Sequence, residues 1–201
     1  MYLLLSLLLL TSCQSQPSAP LQTTIILGRS DSHTLSTREP IYRLQTPTDW
    51  KLTQPSETAS LIDTTEPLLT LTHNDVTITF HNFPVKTIQQ RIAPAAQIAR
   101  WKKQFEQLEP TSVHLNSFST AGFVGIQFEG TGVQKGIPVS VHAWSMQLTP
   151  ELFQKLPEGA IQDKADWTLK AVGPPDQLEL LQEDLQTIAK SVELIREIPS
   201  R

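Results

Sequence analysis

The sequence predicts an α+β fold, a mostly antiparallel sheet covered by helices, and three patterns carry that prediction. Leu69, Leu71, Val76, Ile78 and Phe80 alternate with Thr and His across a turn signal at Asn74 and Asp75, the pattern of a half-buried hairpin. Several strand-like runs then follow one another between Val113 and Leu148, which a meander of antiparallel strands accounts for most simply. Leu178, Leu181, Leu185, Ile188 and Val192 recur at helical spacing after a Gly173, Pro174, Pro175 break, so a closing helix presents one apolar face to the sheet.

Taken in order, Tyr42 to Leu44 reads as a short strand, and Pro47 to Trp50 as a turn with a tucked aromatic. The hairpin of residues 69–80 follows. Pro94 suits a first helical turn, and Ile98, Trp101, Phe105 and Leu108 share one helical face before Pro110 stops the helix. Val124, Ile126 and Phe128 alternate against Gly125, Gln127 and Glu129, with a turn near Gly132 to Gly136. Thr149 is placed to cap a short helix that has Pro150 first, with Leu152, Phe153 and Leu156 as buried candidates. A strand over Asp166 to Val172 precedes the closing helix. No repeat and no second composition regime follows residue 41, so residues 41–195 form one domain and residues 196–201 a tail.

The chain has 201 residues, 39% hydrophobic and 18% charged, which suits one globular domain with a leader. Its net charge is −4, and its basic residues are scattered except for the Lys102, Lys103 pair, so nucleic acid is an unsuitable partner. The single cysteine, Cys13, excludes an internal disulfide.

Leu3 to Leu10 is apolar apart from Ser6, too short to span a bilayer but of the length a secretory signal uses. Leu10, Thr11, Ser12 and Cys13 resemble the lipobox of bacterial lipoproteins. That resemblance implies a signal peptide over residues 1–12, diacylglycerol on the Cys13 thiol, and anchoring to a membrane through that lipid. No Lys or Arg precedes the apolar run, which points to a translation start upstream of Met1. Gln14 stands where Asp favours inner-membrane retention in proteobacterial lipoproteins, which gives the outer membrane a mild preference. From Gln14 to about Pro40 the chain is rich in Ser, Thr, Gln and Pro, so residues 13–40 read as a flexible tether; the Ile25 patch is the one segment able to add an edge strand.

The order of elements, the Pro47-Thr48-Asp49-Trp50 turn, Asp166-Trp167-Thr168-Leu169 and the Ile188 to Val192 helix resemble the PsbP-like fold, an α/β/α sandwich. The resemblance covers roughly residues 41–195. It implies a binding or assembly module with no catalytic activity, docking onto an envelope protein partner, and it transfers no site residue.

Other chemistry is thinly represented. His73, Asp75 and His81 are close enough in sequence for a surface metal site, but solvated histidines beside the turn and on the outer strand face explain them better; no metal or cofactor is expected. Glu129, His142 and Trp144 fall on adjacent strand candidates and would serve acid–base chemistry in a small pocket, but no nucleophile motif accompanies them. The alternative to a binding module is therefore a small-ligand carrier or envelope enzyme with a pocket between sheet and helix. Of the four tryptophans, Trp144 is the candidate groove or interface residue.

Overall fold

A computed structural model describes residues 19–29, 38–59, 61, 63–156 and 163–195. Cys13, the leader and the 196–201 tail lie outside the described residues. Strand β1 (Leu21–Leu27) pairs antiparallel with β2 (Pro40–Pro47). Then come β3 (Lys51–Thr53), the hairpin of β4 (Leu69–His73) and β5 (Val76–Asn82), and helix α1 (Pro94–Lys102). After α1 follow β6 (Gln107–Leu108), β7 (His114–Thr120), β8 (Phe123–Gln134), β9 (Ile137–Leu148) and the short helix α2 (Pro150–Phe153). Strand β10 (Asp166–Gly173), helices α3 (Pro175–Leu180) and α4 (Gln182–Lys190) and strand β11 (Glu193–Leu194) complete the chain.

The large sheet runs β3-β4-β5-β10-β9-β8-β6, with β7 also on β8; a small sheet runs β1-β2-β11. Every pairing is antiparallel. The hairpins turn where the backbone demands positive φ: Ala121 and Gly122 between β7 and β8, Lys135 and Gly136 between β8 and β9, and Asn74 between β4 and β5. Each loop is two residues long, and in the first two both residues take positive φ, the arrangement that matches the right-handed strand twist.

One face of the large sheet buries Leu69, Leu71, Ile78, Phe80, Trp167, Leu169, Trp144 and Met146 against the small sheet and the closing helices. There Phe80 stacks on Trp167 at 5.6 Å, and Tyr42 meets Phe80 edge-on at 5.3 Å. The opposite face buries Phe128, Val141 and Ala143 under Ile98 and Trp101 of α1 and the following Phe105. The two faces follow from strand alternation: Trp144 and Ala143, neighbours in β9, belong to different cores.

Four expectations are corrected. Residues 21–27 are a strand and not tether, because Ile26 is fully buried and Thr24 bonds Thr46 across the pair at 2.8 Å; Arg38, buried too, donates to the Leu27 and Gly28 carbonyls. The helix from Pro94 ends at Lys102 and does not reach Leu108: Glu106 N–H turns to the Val133 carbonyl, and Gln107 and Leu108 pair with β8. Phe105 keeps its apolar burial from the turn. The closing helix breaks at Leu181 (φ −97, ψ 8), dividing α3 from α4 while leaving Leu178, Leu185 and Ile188 buried. Thr149 occupies the cap position of α2, yet its backbone carbonyl, not its hydroxyl, receives Leu152 and Phe153 N–H.

The Asp163 backbone carbonyl ties the two layers together, accepting from Tyr42 Oη at 3.1 Å and Asn82 Nδ2 at 2.8 Å. Burial pushes its side-chain carboxyl up to about 6, with Glu39 adding to the rise and Lys164 and Asp163's own backbone N–H opposing it. A carboxyl that binds its proton more tightly when folded costs stability above that value, and the cost is relieved as pH falls through about 6 toward the unfolded 3.8. Asp163→Asn, which keeps the carbonyl bonds, is expected to stabilise the domain by about 1–3 kcal/mol at neutral pH and by much less near pH 4. His81 and His142, both lowered by burial, titrate in the opposite sense, so the difference between wild type and variant in paired thermal melts isolates Asp163.

Candidate functional site

Strand register settles where the acid–base candidates lie. Glu129 of β8 stands directly opposite His142 of β9, and Gln127 opposite Trp144. On the other side β7 sets His114 opposite Glu129 and Asn116 opposite Gln127. Directly opposed residues share a sheet face, so His114, Glu129 and His142 form one row across three strands. Glu129 Oε1 accepts from Gln127 Nε2 at 2.7 Å. Burial lowers the His142 imidazole below its ordinary value, with the Glu129 charge opposing, so the ring is neutral at neutral pH.

The hydroxyls nearest in register, Thr131 and Ser140, bond each other at 2.7 Å, and Ser140 is buried. Trp144 is a core residue and not a groove residue: it is fully buried, edge-on to Phe118 at 6.2 Å. The hairpin does not bring His73 and His81 together. They sit at opposite ends of it and on opposite faces, His73 against Trp50 with the rings tilted at 34° and their centres 5.3 Å apart, and His81 Nδ1 at 3.2 Å from the Thr64 carbonyl.

A buried ion pair went unread in the sequence. Arg91 Nε and Nη2 donate to Asp166 Oδ1 at 2.8 and 2.6 Å, and Nη2 also reaches the Leu148 and Ala165 carbonyls at 2.6 and 3.3 Å. Gln147 Nε2 reaches the other carboxylate oxygen at 3.3 Å, and the guanidinium lies 4.9 Å from the Phe153 ring centre. Burial raises the Asp166 carboxyl, while Arg91 and Gln147 pull it back down. With both charges engaged on several sides, the cluster clasps the segment before α1 to the ends of β9 and β10. It is a structural element, not a ligand site.

Between the sheet and α1 the enclosed space lined by Ile92, Gln97, Ser145 and Thr168 is about 10 Å³, the room of about one water molecule. Two larger concavities are open to solvent: a shallow one of about 520 Å³ on α4, lined by the polar Gln182, Glu183, Gln186, Thr187 and Lys190, and a more apolar one at the sheet rim. Strand β10 stops at Gly173, because Pro174 and Pro175 offer no N–H to continue a ladder, whereas β9 runs on beyond Ser140, the partner of Gly173, to Ile137. The missing strand end leaves a notch of about 360 Å³. Val172, Gly173 and Pro174 form its floor, Asp75 and Thr77 one wall, and Ile137, Pro138 and Val139 the other. Ile137 is 62% exposed, so an apolar β-branched side chain stands open to water beside a single carboxylate. The sequence marked the Gly173-Pro174-Pro175 break and the turn before Ile137, but nothing in it sets the two side by side.

No family model matches the chain, and no curated protein sequence does. Among solved structures, LpqN of Mycobacterium tuberculosis, involved in cell envelope biogenesis, is similar with a TM-score of 0.54 and 17% identity, over 87% of this chain and 91% of that one. The solution structure of the cyanobacterial PsbP of Synechocystis sp. PCC 6803 aligns at a TM-score of 0.46 and 14% identity, over 92% of this chain and 98% of that one. At 17% identity the likeness to LpqN is one of fold, and the chain shares with it an α+β architecture of antiparallel sheet and helices along nearly the whole of both chains.

Proposed function

We propose that this chain is a lipid-anchored binding or assembly module of the cell envelope, without catalytic activity, held to a membrane through Cys13. The rim notch with exposed Ile137 carries the binding reading: an apolar concavity at a fixed strand end offers a partner side chain a preformed seat. The matching partner is an envelope protein that presents an apolar side chain beside a basic group or backbone N–H able to meet Asp75. The lipobox-like residues and the fold shared with LpqN support the envelope placement, and Gln14 favours the outer membrane. The PsbP-like reading of residues 41–195 belongs to the same proposal. A small-ligand carrier or an enzyme with a pocket between sheet and helix has against it the water-sized space found there.

Ile137→Lys tests the seat. The side chain is already mostly exposed, so the melting temperature is expected to stay within a few degrees of wild type. Recovery of envelope partners after chemical cross-linking in intact cells is expected to drop by about tenfold, the equivalent of about 1.4 kcal/mol of lost contact. Undiminished recovery would remove the notch from the account.

A further inference from the structure

We propose that β7 pairs antiparallel with the β7 of a second copy of this chain, joining two large sheets across a twofold axis. Strand β7 pairs with β8 at all seven positions without a register shift, and among the described residues no strand lies on its other side. Its outward N–H and C=O groups therefore form an open ladder, and residues 114–117 are exposed.

The remaining sheet margins are managed. Strand β3 has three residues and begins with Lys51; β6 and β11 have two residues each. Strand β1 is irregular between Ile26 and Leu27, and side chains occupy its outward carbonyls: Gln54 Nε2 donates to the Ile25 carbonyl at 2.7 Å and Arg38 Nη2 to that of Leu27 at 2.9 Å. The β7 sequence HLNSFST has no Pro, Lys, Arg, Asp or Glu, and no bulge. Open edges normally carry such devices because they otherwise recruit strands.

The side chains suit a second copy. Reversal about Ser117 sets Leu115 against Ser119, Asn116 against Phe118 and His114 against Thr120, so no like charges oppose one another. Leu115, 51% exposed, then lies across Ser119 of the other copy, whose own partner on β8 is Val124, 44% exposed. The small hydroxymethyl between them leaves the two apolar groups room to approach.

The test is analytical ultracentrifugation of the full chain carrying Cys13→Ser across a concentration series, with Ser117→Lys and Ser117→Glu in the same background. The parent is expected to reach the mass of two chains. Each Ser117 variant alone should dissociate at least about tenfold more readily, and an equimolar mixture of the two should restore the dimer, because opposite charges then meet on the axis. A parent that stays monomeric throughout would overturn the proposal, and so would a dimer that both single variants leave intact. A third readout is independent of affinity: Ser117→Cys in the Cys13→Ser chain supplies its sole cysteine, and oxidation is expected to link two copies, whereas Leu180→Cys, on the 79% exposed Leu180, is expected to do so far less.

Discussion

Cys13→Ser is expected to shift the protein from the membrane fraction to the soluble fraction while leaving the melting temperature of the domain unchanged. The reasoning is energetic. Each buried methylene contributes about 0.8 kcal/mol, one acyl chain gives only marginal binding, and a diacylglyceryl group supplies two chains on one residue. None of the domain's described contacts runs through Cys13, so removing its thiol takes away attachment and not folding energy. Fractionation of cells expressing either form, with melting followed by circular dichroism, checks both halves. Retention of the variant in the membrane fraction would contradict lipid anchoring.

Arg91→Ala is expected to be the most damaging single substitution in the described domain, lowering stability by about 3–5 kcal/mol. The Arg91 and Asp166 side chains are each 5% exposed, so truncating the arginine strands a buried carboxylate and frees two carbonyls that it had satisfied. The loss is a penalty of uncompensated charge more than a measure of the pair's net worth. Accordingly, the double variant Arg91→Met, Asp166→Leu is expected to recover most of it, since a buried pair and an apolar pair of similar volume are often close in energy. Urea unfolding midpoints of the three chains decide this. A double variant no more stable than Arg91→Ala would show that the backbone bonds to Leu148 and Ala165 matter more than the charge.

The parts of this fold that the sequence disclosed are those written in local periodicity. The 69–80 hairpin, the alternation of Val124, Ile126 and Phe128 and the Pro94 helix start appear as elements, and the stripe from Leu178 appears as two helices that part at Leu181 and end at Lys190, before Val192, because period two and period 3.6 are properties of neighbouring residues. What stayed hidden depends on distant partners. Thr23 to Leu27 looked like tether because its polar surroundings obscured a strand that becomes stable only when Ile26 meets the Tyr42 layer. Gln107 and Leu108 continue a helical stripe by spacing, yet the free stretch of β8 at Gly132 and Val133 offers backbone partners that a helix end does not. The row of His114, Glu129 and His142 was half visible: Glu129 and His142 stood out by type, while His114 joins them only through the β7 register. Arg91 had no signal, since a lone arginine before a helix declares nothing about a carboxylate 75 positions later.

The central claim is that a membrane-held domain offers its rim notch to an envelope protein, and photo-cross-linking in intact cells tests it most directly. A photoreactive phenylalanine analogue placed at position 137 is compared with the same group at position 180, where Leu180 is exposed on α3 and does not line the notch. The account predicts one reproducible adduct with an envelope protein from position 137, absent from position 180 and reduced when Cys13→Ser removes the anchor. Equal labelling from both positions, or an adduct indifferent to Cys13, would contradict it.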